Sequence, residues 1–208
     1  MADIATNFPS PANGGPDFQA VNFRINTPSQ ISESFSGKVR RIGLGISYYS
    51  WEVRFPQLTA VDAGTITGYL SRALGQQVSF NIIIPEISYS KSPNQTANTP
   101  GVAATSARGS ISVTLNNCGA TKNVLAAGDF FKFNNHSKVY MCVSPCISNS
   151  SGVATLFFSC PAVTNIPGGT NLTITAVPFT AILDEDQQSF DVGYGGITTM
   201  TLSMREVW

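Results

Sequence analysis

His136 is the only histidine in the 208 residues, which narrows the available chemistry at once. Histidine is the side chain most often used for general acid–base catalysis. Here it lies among Asn134, Asn135, Ser137 and Lys138, a polar run that predicts a solvent-facing hairpin turn. No Gly-x-Ser-x-Gly elbow, phosphate-binding glycine loop or His-Glu-x-x-His pair occurs. The densest carboxylates are Asp184, Glu185 and Asp186, with Asp191 close behind. They are the best candidates for an acid/base pair or a calcium loop, yet they lack EF-hand spacing. Adjacent like charges in a polar stretch read as a solvated loop.

Metal chemistry would have to come from Cys118, Cys142, Cys146 and Cys160. Structural zinc takes its ligands as close pairs on tight turns. Cys142 and Cys146 are four apart with Pro145 between them, and the other two have no close partner. Buried free thiols are therefore expected ahead of a disulfide or a zinc site. Gly128-Asp129 reads as a turn whose carboxylate binds turn amides. The expectation is no catalytic residue, no metal site and no cofactor.

Lys38, Arg40, Arg41 and Arg54, set against Glu52, make a local excess of positive charge. Nucleic-acid binding asks for a larger patch interleaved with exposed aromatics, and Trp51 and Phe55 read as packed. The better match is an acidic neighbour, the Asp184, Glu185, Asp186 and Asp191 loop of a next subunit.

The whole chain agrees with this assignment. Lys plus Arg and Asp plus Glu are 12 each, so the formal net charge is zero. Charged residues are 12 % of the chain against 42 % hydrophobic; the charged share is about half the usual one. A disordered chain is excluded, and so is a general polyanion binder. A surface without net charge has no long-range repulsion between copies, which suits a protein built into an oligomer. No run of 18 apolar residues occurs, so no membrane span is expected. The Met1 to Pro9 stretch has no basic-then-apolar leader pattern, so synthesis in a cytoplasm is expected.

The elements that must carry these residues are mostly strands. Residues 1–36, rich in Pro, Asn, Gly and Ser, read as an extended arm with one short strand over Phe18 to Ile25. In the 37–89 stretch, Tyr49, Trp51, Val53 and Phe55 alternate strictly, as in a half-buried strand ended by Pro56. One helix follows over about 60–74: Thr59 and Asp62 have capping spacing, Ile66, Leu70, Ala73 and Leu74 share a face, and Gly75 stops it. Gln77 to Ile84 is a strand. Residues 90–107 form a long polar loop, and 108–208 reads as strands and Gly/Asn/Pro turns at the spacing of a small barrel or sandwich. The predicted fold is mainly β: an N-terminal sheet module with one packed helix, then a small β-barrel or sandwich packed with it as one unit. The structural seam is predicted at Trp51, Phe55, Ile66, Leu70 and Phe80.

Two blocks of sequence carry a family resemblance. The first is Trp51-Glu52-Val53-Arg54-Phe55-Pro56, then the helix from Asp62 to Leu74, then Gly75-Gln76-Gln77-Val78-Ser79-Phe80. The second runs Val124-Leu125, Gly128-Asp129, Lys138-Val139-Tyr140 and Ser151-Gly152, with Pro161 and Met204-Arg205-Glu206 at matching places. In this order they resemble the distal-tail and baseplate-hub ring proteins of tailed bacteriophages over residues 37–208, with Cys118 where that pattern often has Gly. The resemblance implies a structural, non-enzymatic virion protein. It would form a ring, usually hexameric, between tail tube and baseplate or hub, pass DNA through its lumen without reading it, and dock tip or fibre proteins. Two other classes fit the composition: a carbohydrate-binding β-domain of a tail fibre or adhesin, with Tyr48, Tyr49, Tyr194 or Trp208 as stacking platforms, and a glycan hydrolase using the 184–191 carboxylates.

Overall fold

The computed structural model describes residues 7–92 and 95–208. The first six residues of the expected arm, and Pro93 and Asn94 of the expected loop, lie outside it. The chain is mainly β, with one α-helix among the described residues. The first strands are β1 (Ala20–Asn26), β2 (Ser29–Glu33), β3 (Val39–Gly43) and β4 (Tyr48–Arg54). Helix α1 (Ala60–Ala73) leads to β5 (Phe80–Ile82). Then come β6 (Gly101–Val102), β7 (Ser112–Asn116), β8 (Asn123–Leu125), β9 (Phe130–Phe133), β10 (Val139–Met141), β11 (Cys146–Ile147), β12 (Ala154–Phe157) and β13 (Leu172–Thr173). The chain closes with β14 (Phe179–Leu183), β15 (Phe190–Val192) and β16 (Thr198–Glu206).

One antiparallel sheet orders β1-β4-β16-β14-β5, with β15 pairing the first part of β16. Alternation in β4 works as the sequence predicts: Tyr49, Trp51 and Val53 are buried, and Glu52 faces outward to Arg24 at 3.5 Å. Register puts Phe23 of β1 and Met204 of β16 on either side of Trp51. The Phe23 and Trp51 rings stack with centroids 5.9 Å apart, a cross-strand aromatic pair that adds to simple burial. Helix α1 begins where Thr59 caps it, its hydroxyl oxygen accepting from Asp62 N at 3.3 Å. It buries Ile66, Tyr69, Leu70 and Ala73, while Leu74, expected on that face, is the exposed left-handed cap residue. All five predicted seam residues, Trp51, Phe55, Ile66, Leu70 and Phe80, lie in this one core.

Two boundaries differ from expectation. The arm is not separate from the core, because β1 pairs along β4 over seven residues and Phe8 is fully buried against Phe55, Tyr69 and Phe80. An aromatic ring surrounded by Pro, Ser and Asn leaves no periodic signal in sequence, yet it fills the gap between helix and sheet. Residues 108–208 are likewise not one spatial unit. Strands β14 and β16 complete the first sheet, so the second unit is inserted within the first rather than appended to it.

The inserted unit folds around its own core, which includes Val102, Leu115, Phe131, Phe133, Tyr140 and Leu156. Three small antiparallel sheets enclose it: β10-β9-β13, β11-β8 and β12-β7-β6. The long polar 90–107 stretch is woven into this unit. Val102 is buried in β6, Thr96 N donates to Asn123 O, and Ser106 pairs with Ile166. Gln77 to Ile84 forms a strand only at its centre, since Gln77 and Val78 are spent on amide bonds that close the end of α1. Among the described residues, no helix is long and apolar enough to cross a membrane.

Candidate functional site

The turn Ser34–Gly37 begins from local hydrogen bonds: Gly37 N donates to Ser34 O at 2.9 Å and Lys38 N to Ser34 Oγ at 3.2 Å. Gly37 has φ of 76°, a left-handed conformation that favours glycine. This turn joins β2 to β3, whose register runs from Ser29↔Gly43 to Glu33↔Val39. Every residue of both strands is exposed. The ribbon continues the β1–β4 ladder beyond the main sheet, so it projects as a free arm. Ile31, Val39 and Ile42 stand in solvent along it, and Phe35 at the tip has a relative exposure of 113 %. An isolated two-stranded hairpin is marginal in water, and open strand edges with exposed apolar side chains invite a partner. Lys38, Arg40 and Arg41 lie at the turn and on β3, with Glu33 the one carboxylate opposite.

The acidic loop sits elsewhere, between β14 and β15. Asp184 meets Arg205 at 3.4 Å, and its carbonyl accepts from the Gln76 side chain. Asp186 accepts from Gln76 N at 3.1 Å. Gly75 is required here: its φ is 65°, and a Cβ would approach Asp186 Oδ1 to 2.7 Å. The loop is thereby pinned to the end of α1, with Glu185 exposed; Asp191 lies in β15, paired with Thr199 on the opposite face of the sheet. Helix and loop enclose a cleft of about 380 Å³ lined by Leu70, Leu74, Gly75, Asp186 and Phe190. The structure thus keeps Lys38, Arg40 and Arg41 on the arm apart from Asp184, Glu185 and Asp186 beside α1, whereas Arg54 and Asp191 line one cleft on the other face of the sheet.

The other candidate residues have structural surroundings. Asp129 is buried and accepts from Ala126 N at 2.9 Å, from Lys91 N at 3.1 Å and from the Ser90 hydroxyl. Its turn amide is bound as predicted, and the same carboxylate also fastens the start of the 90–107 segment. Gly128 takes a φ of 88° beside it. His136 lies in the turn between β9 and β10 as expected, but its ring is half-buried rather than solvent-facing. Its Nε2 lies 2.9 Å from the Tyr140 hydroxyl and its Nδ1 2.8 Å from Asn135 Oδ1. Burial, with Lys132 and Lys138 adding repulsion, pushes its pKa down to about 4. The four cysteines are buried free thiols. Burial raises Cys118 and Cys142 to about 11 and Cys146 to about 12, so their reactive thiolate forms are scarce near neutrality.

Sequence inspection misses one constellation altogether. Lys138 Nζ and Glu206 Oε2 pair at 2.5 Å, both side chains fully buried. Glu206 also accepts from Val139 N at 2.9 Å and Tyr49 N at 3.3 Å, while Lys138 Nζ lies 4.7 Å from the Tyr49 ring and 4.3 Å from the Trp208 ring. Burial pushes the lysine pKa down and the glutamate pKa up, and their mutual attraction opposes both shifts. Lys138 immediately precedes β10 of the inserted unit and Glu206 closes β16 of the main sheet, so the pair joins the two units. Partners 68 residues apart, each in an ordinary strand context, give no local signal. Nearby, Trp208, Arg108, Asn135, His136 and Ile46 line a cleft of about 620 Å³ at the base of the arm.

Among the described residues, no group of three or more His, Cys, Asp or Glu is gathered as a metal site. Compared with known proteins, the chain matches no family model and has no significant match among curated sequences.

Proposed function

We propose that the chain is a structural, non-enzymatic subunit of a bacteriophage tail, of the distal-tail or baseplate-hub ring class. In this role it forms a ring, a hexamer in the simplest case, where the tail tube meets the baseplate or hub. It links the tube to tip or fibre proteins and lets DNA pass through its lumen without sequence recognition. The observation that carries this assignment is the projecting β2–β3 ribbon, on which Ile31, Phe35, Val39 and Ile42 are all more than half exposed among the described residues. A zero net charge and a 12 % charged fraction support it, since both favour close packing of copies. The resemblance over residues 37–208 supplies the tail location. Negative-stain imaging of the purified full chain is the test: closed rings with a central opening wide enough for duplex DNA are expected, and solitary particles at every concentration count against it.

A second reading rests on the cleft beside Trp208, whose ring is partly exposed and flanked by Arg108 and Asn135. An aromatic platform beside polar groups suits a sugar, and a carbohydrate-binding domain of a fibre or adhesin would use it. Glycan binding that disappears in Trp208→Ala supports that reading; no glycan signal in the full chain opposes it.

A further inference from the structure

Resting on the self-assembly reading above, we propose that the β2–β3 ribbon of one copy docks head to tail into the cleft between α1 and the 184–191 loop of a second copy. The Phe35 ring leads and the basic side chains meet the acidic loop. Three observations select this occupant. The ribbon carries Lys38, Arg40 and Arg41 against Glu33 alone, whereas the loop carries Asp184, Glu185 and Asp186 and no basic residue. Arg205 engages Asp184, and Asp186 is bound to the end of α1, which leaves Glu185 as the exposed, uncommitted carboxylate of the loop. Surfaces of opposite sign on one molecule are complementary between copies.

Size agrees as well. Phe35 is the most exposed large apolar residue among the described residues, and the cleft of about 380 Å³ has apolar walls at Leu70, Leu74 and Phe190. A cavity on the order of 150 Å³ already holds a benzene-sized ring.

Topology places the two parts far apart within one copy. The ribbon leaves the main sheet beyond Tyr48, past the end where Ser50 pairs with Arg205, whereas Phe190 pairs with Met200 towards the other end of β16. At about 3.3 Å per residue the two levels differ by roughly 20 Å, and the ribbon extends further away from there. A contact between different patches on two copies is heterologous, and it propagates until rotation closes it into a ring.

The test is a charge exchange in the full chain. One variant carries Arg40→Glu and Arg41→Glu; the other carries Glu185→Lys and Gln187→Lys, which spares the structural Asp184 and Asp186. All four positions are exposed, so each variant should melt like the wild type. Sedimentation is expected to show that each variant alone loses self-association, because arm and cleft then carry like charge. Mixed in equal amounts they regain it, with alternating copies and an even number of subunits. Phe35→Asp should weaken assembly at least tenfold. Assembly of wild type and single variants alike overturns this contact while leaving the ring standing, and so does a mixture that fails to rescue. A wild-type chain that never associates overturns both.

Discussion

Lys138 and Glu206 show what a single buried contact can do in this chain. Removing one partner of a sealed ion pair strands the other charge without water, at a cost of about 3–5 kcal/mol. Lys138→Met should lower stability by that amount in urea unfolding. Adding Glu206→Gln should recover most of the loss, because the amide oxygen still accepts from Val139 N without carrying charge. Equal losses in single and double variants would contradict this account. His136 gives a second residue-level prediction, in pH. Its folded pKa of about 4 lies below the ordinary value of 6.5. Between those values the unfolded chain binds a proton that the folded chain does not, so stability is full above about pH 6.5 and falls as pH drops towards 4. In His136→Gln that contribution is gone. The melting temperature should therefore fall less between pH 7 and pH 4.5 in the variant than in the wild type, and parallel falls would contradict the assignment.

At the scale of elements, two aromatics define the contrast between core and arm. Trp51 sits between Phe23 and Phe179 in the main core, so Trp51→Ala should cost about 3–5 kcal/mol through the cavity it leaves. Phe35 is fully exposed among the described residues, so Phe35→Ala should change stability by less than about 0.5 kcal/mol. Thermal unfolding of the two variants side by side checks both statements. Strand β4 and helix α1 are legible in the sequence because their signals are local: strict alternation from Tyr49 to Phe55, and a threonine cap followed by a 3.6-residue face. The inserted unit and the return of β14 and β16 to the first sheet are not legible, because strand partners far apart in sequence leave no periodic trace. Phe8 and the Lys138–Glu206 pair escape for the same reason. Within the candidate site, the charged residues and their opposite signs are visible in the sequence. The free ribbon is not, since exposed Ile31, Val39 and Ile42 carry the same β-rich signature as buried strand residues.

For the whole molecule, the central claim is that copies of this chain associate through surfaces that the fold leaves uncovered. A neutral, weakly charged body with a projecting apolar ribbon resists association poorly, and a heterologous contact turns that tendency into a closed number of copies. High salt should weaken the contact, because its charged groups lie at the surface where screening is effective. The most direct measurement is the native mass of the full chain by light scattering across a concentration series at low salt. The account predicts a defined multiple of 22.1 kDa, reached at moderate concentration and lost when salt is raised. A mass that stays at 22.1 kDa at every concentration would contradict it.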